Sequence, residues 1–365
     1  MKTAMRVLVA VMALMAVLQV ALATDVRTGL TPTVTTEKFV PSVWMCNGAR
    51  HTADDGWQSA RCNTKLDLSQ REWNYAFEGE QVSWPILVLE KNGIEKIKDV
   101  YVVVGDSTSA NPSDIQANCV LDRILEDGTP LTGESHPKLA CFDARLGEEV
   151  FTTVPGDNVM AVYTCTLTVE STQSMHGEYW IMPVAEDLDG NLGVADEKEY
   201  WFFNPTVALA INGAIDFGEV RPGASAYSTT LTIGNDAEQG SGVMMEMFIG
   251  GTDFTDPSNS GAKCPDSNVL KLANFRYYAT AGAYSSATNP GVDPEKYDAI
   301  PYADELKEAQ EIIGGELYTV CGTPYDAGNV LSPGSEMSLT FKLNLPLPCN
   351  GDFSDGNIYF WGEAV

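Results

Sequence analysis

An all-β fold, two β-sandwich modules in tandem, is predicted by three features of this sequence. Apolar and polar residues alternate in run after run, turn signals of Gly, Pro and Asn-Gly separate the runs at short intervals, and long helical periodicity is almost missing. In the first half, Val82, Trp84, Ile86 and Val88 alternate, Lys91-Asn92-Gly93 supplies a turn, and Ile97, Val100, Val102 and Val104 resume. Asn-Gly between two such runs predicts a hairpin. The stretches 158–170, 177–187 and 197–205 supply further strands, and Cys165 shares an inward face with Ala161, Tyr163, Leu167 and Val169.

A boundary is expected at Asn204-Pro205, where one alternation stops and a fresh one begins. Beyond it, Ile215, Phe217 and Val220 lead to Pro222-Gly223, followed by Tyr227, Thr229, Leu231 and Ile233. Pro333-Gly334 feeds a matching run at Met337, Leu339, Phe341 and Leu343. Between these runs an insertion, about 251–330, is expected to be partly helical, because "YADELKEAQEIIGG" has a helical pattern that ends at Gly314.

The first residues read as a secretory signal, 1–23. Lys2 and Arg6 precede an apolar run from Val7 to Leu18, and Ala21-Leu22-Ala23 is a small-x-small cleavage site. Residues 24–69 then form an extended segment and a disulfide loop expected to pack on the first sandwich, 70–205; the second occupies 206–365. The extended stretch Thr24 to Val40 is a candidate for pairing with a neighbouring subunit.

Export makes disulfides the default for the eight cysteines, Cys46, Cys62, Cys119, Cys141, Cys165, Cys264, Cys321 and Cys349. Cys46 with Cys62 and Cys264 with Cys349 are the expected pairs in their regions, while Cys119 has two candidate partners, Cys141 across a turn-rich loop or Cys165. No C-x-x-C occurs, so zinc and redox readings are weak.

Fifty acidic against twenty-two basic residues give a net charge of −28, which repels nucleic acid and attracts cations. The three histidines, His51, His136 and His176, stand in turn-rich surroundings, and no H-E-x-x-H, G-x-S-x-G or Walker motif is present. Catalysis is therefore not expected, and no cofactor is required. Calcium is the one candidate ion. "EDLDGNLG" spaces Glu186, Asp187, Asp189 and Asn191 as oxygen ligands, yet Leu192 and Lys198 occupy the positions where an EF-hand needs Gly and Glu. A plain hairpin turn explains the same residues. Among the aromatic residues of the insertion, Phe275 and Tyr277 read as core. Tyr278, Tyr284 and Tyr302 read as contact candidates, since Tyr buries area at small entropic cost.

The stretches "FEGEQVSWPILVLEKNGIEKIKDVYVVVG", "MHGEYWIMPVAEDLDGNLG" and "IDFGEVRPGAS…TLTIGND" resemble the immunoglobulin-like and related sandwich modules of bacterial and archaeal surface proteins, and together are similar to secreted two-module envelope proteins of small archaea. The resemblance implies two immunoglobulin-like sandwiches on an exported, cell-surface chain without assigned activity. Its partners would be copies of itself or other envelope proteins, or a surface glycan bound through the aromatic insertion.

Overall fold

A computed structural model describes residues 38–45, 51–52, 74–106, 114–131, 142, 153–195, 198–265, 267–314, 317–320 and 323–365. Residues 39–365 belong to one compact unit. The expected signal and most of the extended N-terminal segment lie outside the described residues, as do Cys46, Cys62, Cys141, Cys321 and His136. The described residues are all-β. Their only helical pieces are single 3-10 turns at Ile94–Lys96, Leu272–Asn274, Ser286–Thr288 and Leu306–Glu308, and none is long and apolar enough to cross a membrane.

Every strand of the first sheet precedes Asn204, and every strand of the others follows it. In the first half the strand order is Ser42–Met45, Gln81–Leu89, Met160–Thr168, Ile115–Ile124, Ile97–Gly105, Gly177–Asp187, Glu199–Phe203 and Tyr75–Ala76. Alternation places Val82, Trp84, Ile86 and Val88 in the same buried core as Val100, Val102 and Val104, with Trp84 meeting Trp201 edge-on at 5.8 Å. The Ile115–Ile124 strand pairs first with Ile97–Gly105 and then with Met160–Thr168, so hydrogen bonding runs unbroken from one layer to the other.

The expected hairpin at Lys91-Asn92-Gly93 is an arch instead. Gln81–Leu89 pairs with Met160–Thr168, and Ile97–Gly105 with Gly177–Asp187, so the turn crosses between layers. Two backbone bonds hold the arch to the 158–159 loop, Glu90 N–H to the Val159 carbonyl at 2.8 Å and Ile94 N–H to the Asn158 carbonyl at 2.7 Å. Gly93 takes φ 105°, which a side chain would disfavour.

In the second half, a sheet of Leu209–Asn212, Leu231–Asn235, Glu336–Asn344, Phe275–Ala281 and Tyr284–Ser285 packs on one centred on Met245–Gly251 and flanked by Ile358–Ala364. Leu231, Ile233, Met337, Leu339 and Phe341 from the first layer meet Met245, Met247 and Ile249 from the second.

Two expectations about the insertion are corrected. Phe275–Ala281 is an integral strand, paired along Glu336–Asn344 from Phe275↔Leu343 to Thr280↔Ser338, because Phe275, Tyr277 and Ala279 alternate into the core. The expected helix is a single 3-10 turn followed by the strand Gln310–Glu311, which pairs with Met245–Gly251. Pairing with that strand and burial of Ile312 and Ile313, whose N–H groups both donate to Asn329 Oδ1, override the local helical pattern.

The halves meet through a buried cluster of Tyr75, Phe202, Ala237 and Val243. Tyr75 Oη donates to the Val365 carbonyl, 290 residues away, at 2.5 Å. Tyr200 Oη donates to the Gly240 carbonyl at 3.1 Å, and His176 contacts Glu238 at 3.0 Å.

Candidate functional site

Cystines occur in both halves. Cys119 pairs with Cys165, and Cys264 with Cys349; among the described residues no cysteine is free. Of the two partners considered for Cys119, the structure selects Cys165 over Cys141, because the two residues lie directly opposite in neighbouring strands. Disulfides suit an oxidising compartment.

The acidic stretch forms a tight hairpin from Gly177–Asp187 into Leu192–Val194, with Gly190 at φ 83°. Asp187 is buried and committed to the turn. Its Oδ1 accepts the N–H of Asp189 at 2.9 Å and of Asn191 at 2.7 Å, and its Oδ2 accepts Asn191 Nδ2 at 2.6 Å. Burial alone would raise its pKa, but the Asn191 side chain and the backbone N–H groups of Asn191, Asp189 and Gly190 outweigh it and hold the carboxyl below the usual value. Glu186 is tied to Lys98 Nζ at 2.6 Å. Asp187, Asn191 and Glu186 are therefore engaged within the turn and its flanking strand, and among the described residues no three acidic, His or Cys side chains converge as a metal site.

Nearby, Glu90 is buried at the start of the arch. Its Oε1 accepts the Asn92 N–H at 2.9 Å, while Oε2 has no hydrogen-bond partner among the described residues. Burial, with lesser repulsion from Asp187 and Asp189, pushes its pKa up.

The three tyrosine candidates fall on separate elements. Tyr302, 64% exposed, bridges Gly251, and Tyr284 lines a cavity of about 260 Å³ with Ser285, Thr288 and Ile313. Tyr278 is half-buried on the outer face of Phe275–Ala281, where its ring lies 5.9 Å from that of Tyr297; Tyr227 lies 5.5 Å beyond. Tyr227 is half-exposed although it was expected to share a face with Leu231. The strand breaks at Ser228, whose N–H donates to the Phe341 carbonyl and whose Oγ accepts the Phe341 N–H, and the face reverses there.

Under this tyrosine row lies a charged group. Lys342 projects to the outer face of Glu336–Asn344 and is covered by the 289–298 loop, leaving its side chain 7% exposed. Its Nζ lies 3.2 Å from Asp293 Oδ2 and 2.9 Å from Glu295 Oε2, which also accepts Tyr227 Oη at 2.6 Å. Asp293 Oδ1 accepts the N–H groups of Glu295 and Tyr297, both at 2.9 Å. Burial works to lower the Lys342 pKa, but Glu295 and Asp293 raise it on balance. Sequence reasoning missed Tyr227, Tyr297, Lys342, Asp293 and Glu295 as a group. The only signal was a Lys at an outward position of a strand whose one other charge is Glu336.

No protein-family model matches the chain, and no curated protein matches it. Among solved structures, it is similar to the C-terminal domain of the Streptococcus agalactiae AgI/II polypeptide BspA, with 10% identity over 89% of this chain and 97% of that one at a TM-score of 0.31. A chaperone–tip adhesion subunit complex of Acinetobacter baumannii Csu pili aligns with 7% identity over 76% of this chain and 89% of that one, TM-score 0.23. The collagen adhesin of Staphylococcus aureus aligns with 12% identity over 80% and 84%, TM-score 0.16. Scores of this size do not establish a shared topology.

Proposed function

We propose that this chain is a secreted structural protein of a prokaryotic cell envelope, a surface-layer-like or fibre subunit that works by contact and without catalysis. The observation that carries the reading is the buried junction. Tyr75 clamps the carbonyl of Val365, and Tyr200 and His176 add two more polar ties around an apolar cluster. A junction of this kind resists bending between the halves, which suits a building unit. A cystine within each half adds to that stiffness. The strand Ile358–Ala364 pairs on one edge with Met245–Gly251, and its other edge has no strand partner among the described residues. Such an edge accepts a strand from a neighbouring copy.

A second reading, an adhesin or glycan- or protein-binding module, draws on the outward row of Tyr227, Tyr297 and Tyr278. Size-exclusion chromatography with electron microscopy of the secreted chain separates the two. Ordered polymers support the structural role, whereas a stable monomer that retains a ligand supports the binding role.

A further inference from the structure

We propose that Lys342 and Asp293 are the two ends of an intramolecular amide cross-link, formed by the folded chain itself with Glu295 as the proton carrier. Three geometric facts carry the inference. Both reacting side chains are mostly withdrawn from solvent, at 7% and 13% exposure, with Nζ and Oδ2 3.2 Å apart, a contact that sets Nζ against the carboxyl group it would attack. The second carboxyl oxygen, Oδ1, is already held by two backbone N–H groups at 2.9 Å, an arrangement that stabilises negative charge developing on it. The Glu295 carboxylate stands 2.9 Å from the same Nζ, within reach of the proton that must leave.

The step balances without a further reagent. The Lys342 ammonium passes one proton to Asp293 Oδ2, giving a neutral amine beside a neutral acid. The Nζ lone pair attacks Cγ, a C–N bond forms, and negative charge collects on Oδ1 in its pair of N–H groups. Glu295 takes one proton from the now positive nitrogen. Oδ1 re-forms the carbonyl, the Cγ–Oδ2 bond breaks, and Glu295 returns its proton to the departing hydroxyl, which leaves as water. The products are an amide, one water molecule and the original Glu295 carboxylate. The charged forms of Lys342 and Asp293 are both favoured at the outset, so the first proton transfer runs uphill.

The link would fasten the 289–298 loop to the Glu336–Asn344 strand across 49 residues of chain. It stands independently of the envelope reading, because it is measured on the isolated chain whether or not that chain assembles. The test is peptide mapping by mass spectrometry of the full secreted chain after reduction, alkylation and proteolysis. The expected result is one joined peptide pair carrying Lys342 and Asp293, about 18 Da lighter than the sum of its parts, in most of the molecules. Lys342→Arg and Glu295→Gln should each restore the separate peptides at full mass while far-ultraviolet circular dichroism stays unchanged. Separate full-mass peptides from the natural chain would reduce the contact to an ion pair and overturn the proposal, and so would a link from Lys342 to Glu295. Because the decisive measurement is on the natural sequence, a variant that fails to fold does not protect the idea.

Discussion

Replacing Asn235 tests how the two layers of the second half are held together. Asn235 ends the Leu231–Asn235 strand of one layer and is 1% exposed. Its Nδ2 donates to the carbonyls of Val243 and Leu331, both at 2.8 Å, and its Oδ1 accepts the Ala237 N–H at 3.0 Å. Leu331 belongs to the opposing sheet and Val243 leads into its central strand, so one amide spans both layers. A net hydrogen bond stabilises by about 1 kcal/mol, and a buried donor left without a partner costs more. Asn235→Ala removes three bonds at once and should cost about 3–4 kcal/mol. Asn235→Asp keeps the acceptor but points a carboxylate at two carbonyl oxygens, so at neutral pH it should be worse. The carboxyl so introduced has its folded pKa raised above the unfolded value of about 4. Its protonated form donates one of the lost bonds, so the recovered stability is fully present below the unfolded pKa and disappears as pH rises through the folded one. Urea unfolding of the disulfide-intact chain, followed by tryptophan fluorescence and circular dichroism, measures both variants. A loss under about 1 kcal/mol for Asn235→Ala, or an Asn235→Asp variant indifferent to pH between about 3 and 7, would refute the staple.

Four further outcomes follow from the same kind of accounting. Asp187→Ala should weaken the first half equally with and without calcium, and calorimetric titration of the natural full chain should give no binding heat at millimolar calcium; calcium-dependent stability would support the metal reading instead. Asp256 accepts bonds from Ser258, Ser260, Gly261 and Ala262, and the Ser258 hydroxyl leads the set that holds its pKa down to about 2. Its depressed folded pKa means that stability is present above the ordinary carboxylate value and lost as pH falls from there towards about 2, so thermal melts of Asp256→Ala should be flatter with pH across that window than those of the natural chain. Glu90→Gln should raise stability at pH 7 by about 1 kcal/mol, since burial penalises the ionised form; the raised folded pKa makes this gain shrink as pH falls through it and vanish below the unfolded value. Removing Cys119 and Cys165 together frees a 46-residue loop and should cost about 2–4 kcal/mol in urea unfolding, a loss that an unchanged midpoint would contradict.

Alternation made the burial of Trp84, Val102, Leu231 and Phe341 legible, because a period of two fixes which face of a strand meets the core. Neighbours were less legible for the same reason. Val82 to Val88 and Val100 to Val104 face one core, but they do so from opposite layers; a hairpin in one sheet would show the same alternation. Asn92-Gly93 satisfies an arch as readily as a hairpin, since both need a residue at positive φ. The 302–314 stretch failed for a different reason. Its local preference is helical, but seating Ile312 and Ile313 in the core and pairing Gln310–Glu311 along Met245–Gly251 is a tertiary gain that a window of sequence does not contain.

The candidate sites divide along the same line. A turn is local, and the roles of Asp187, Gly190 and Asn191 could be weighed from five consecutive residues. The group at Lys342 is assembled from Tyr227, Asp293, Glu295 and Tyr297, so it exists only after the loop has folded over the strand. What the sequence does show there is a lysine at an outward position beside Ser338, Thr340 and Asn344, with the strand's one other charge, Glu336, at its far end. In a chain with more than twice as many acidic as basic residues, such a lysine finds carboxylates wherever it is exposed. Lys342 is withdrawn from solvent and held at contact distance from two of them. A surface ion pair needs no such shielding, since exposed pairs form freely and contribute little. Shielding raises the stakes of every proton at that position, and that gives the geometry of Asp293 and Glu295 a chemical consequence beyond charge balance.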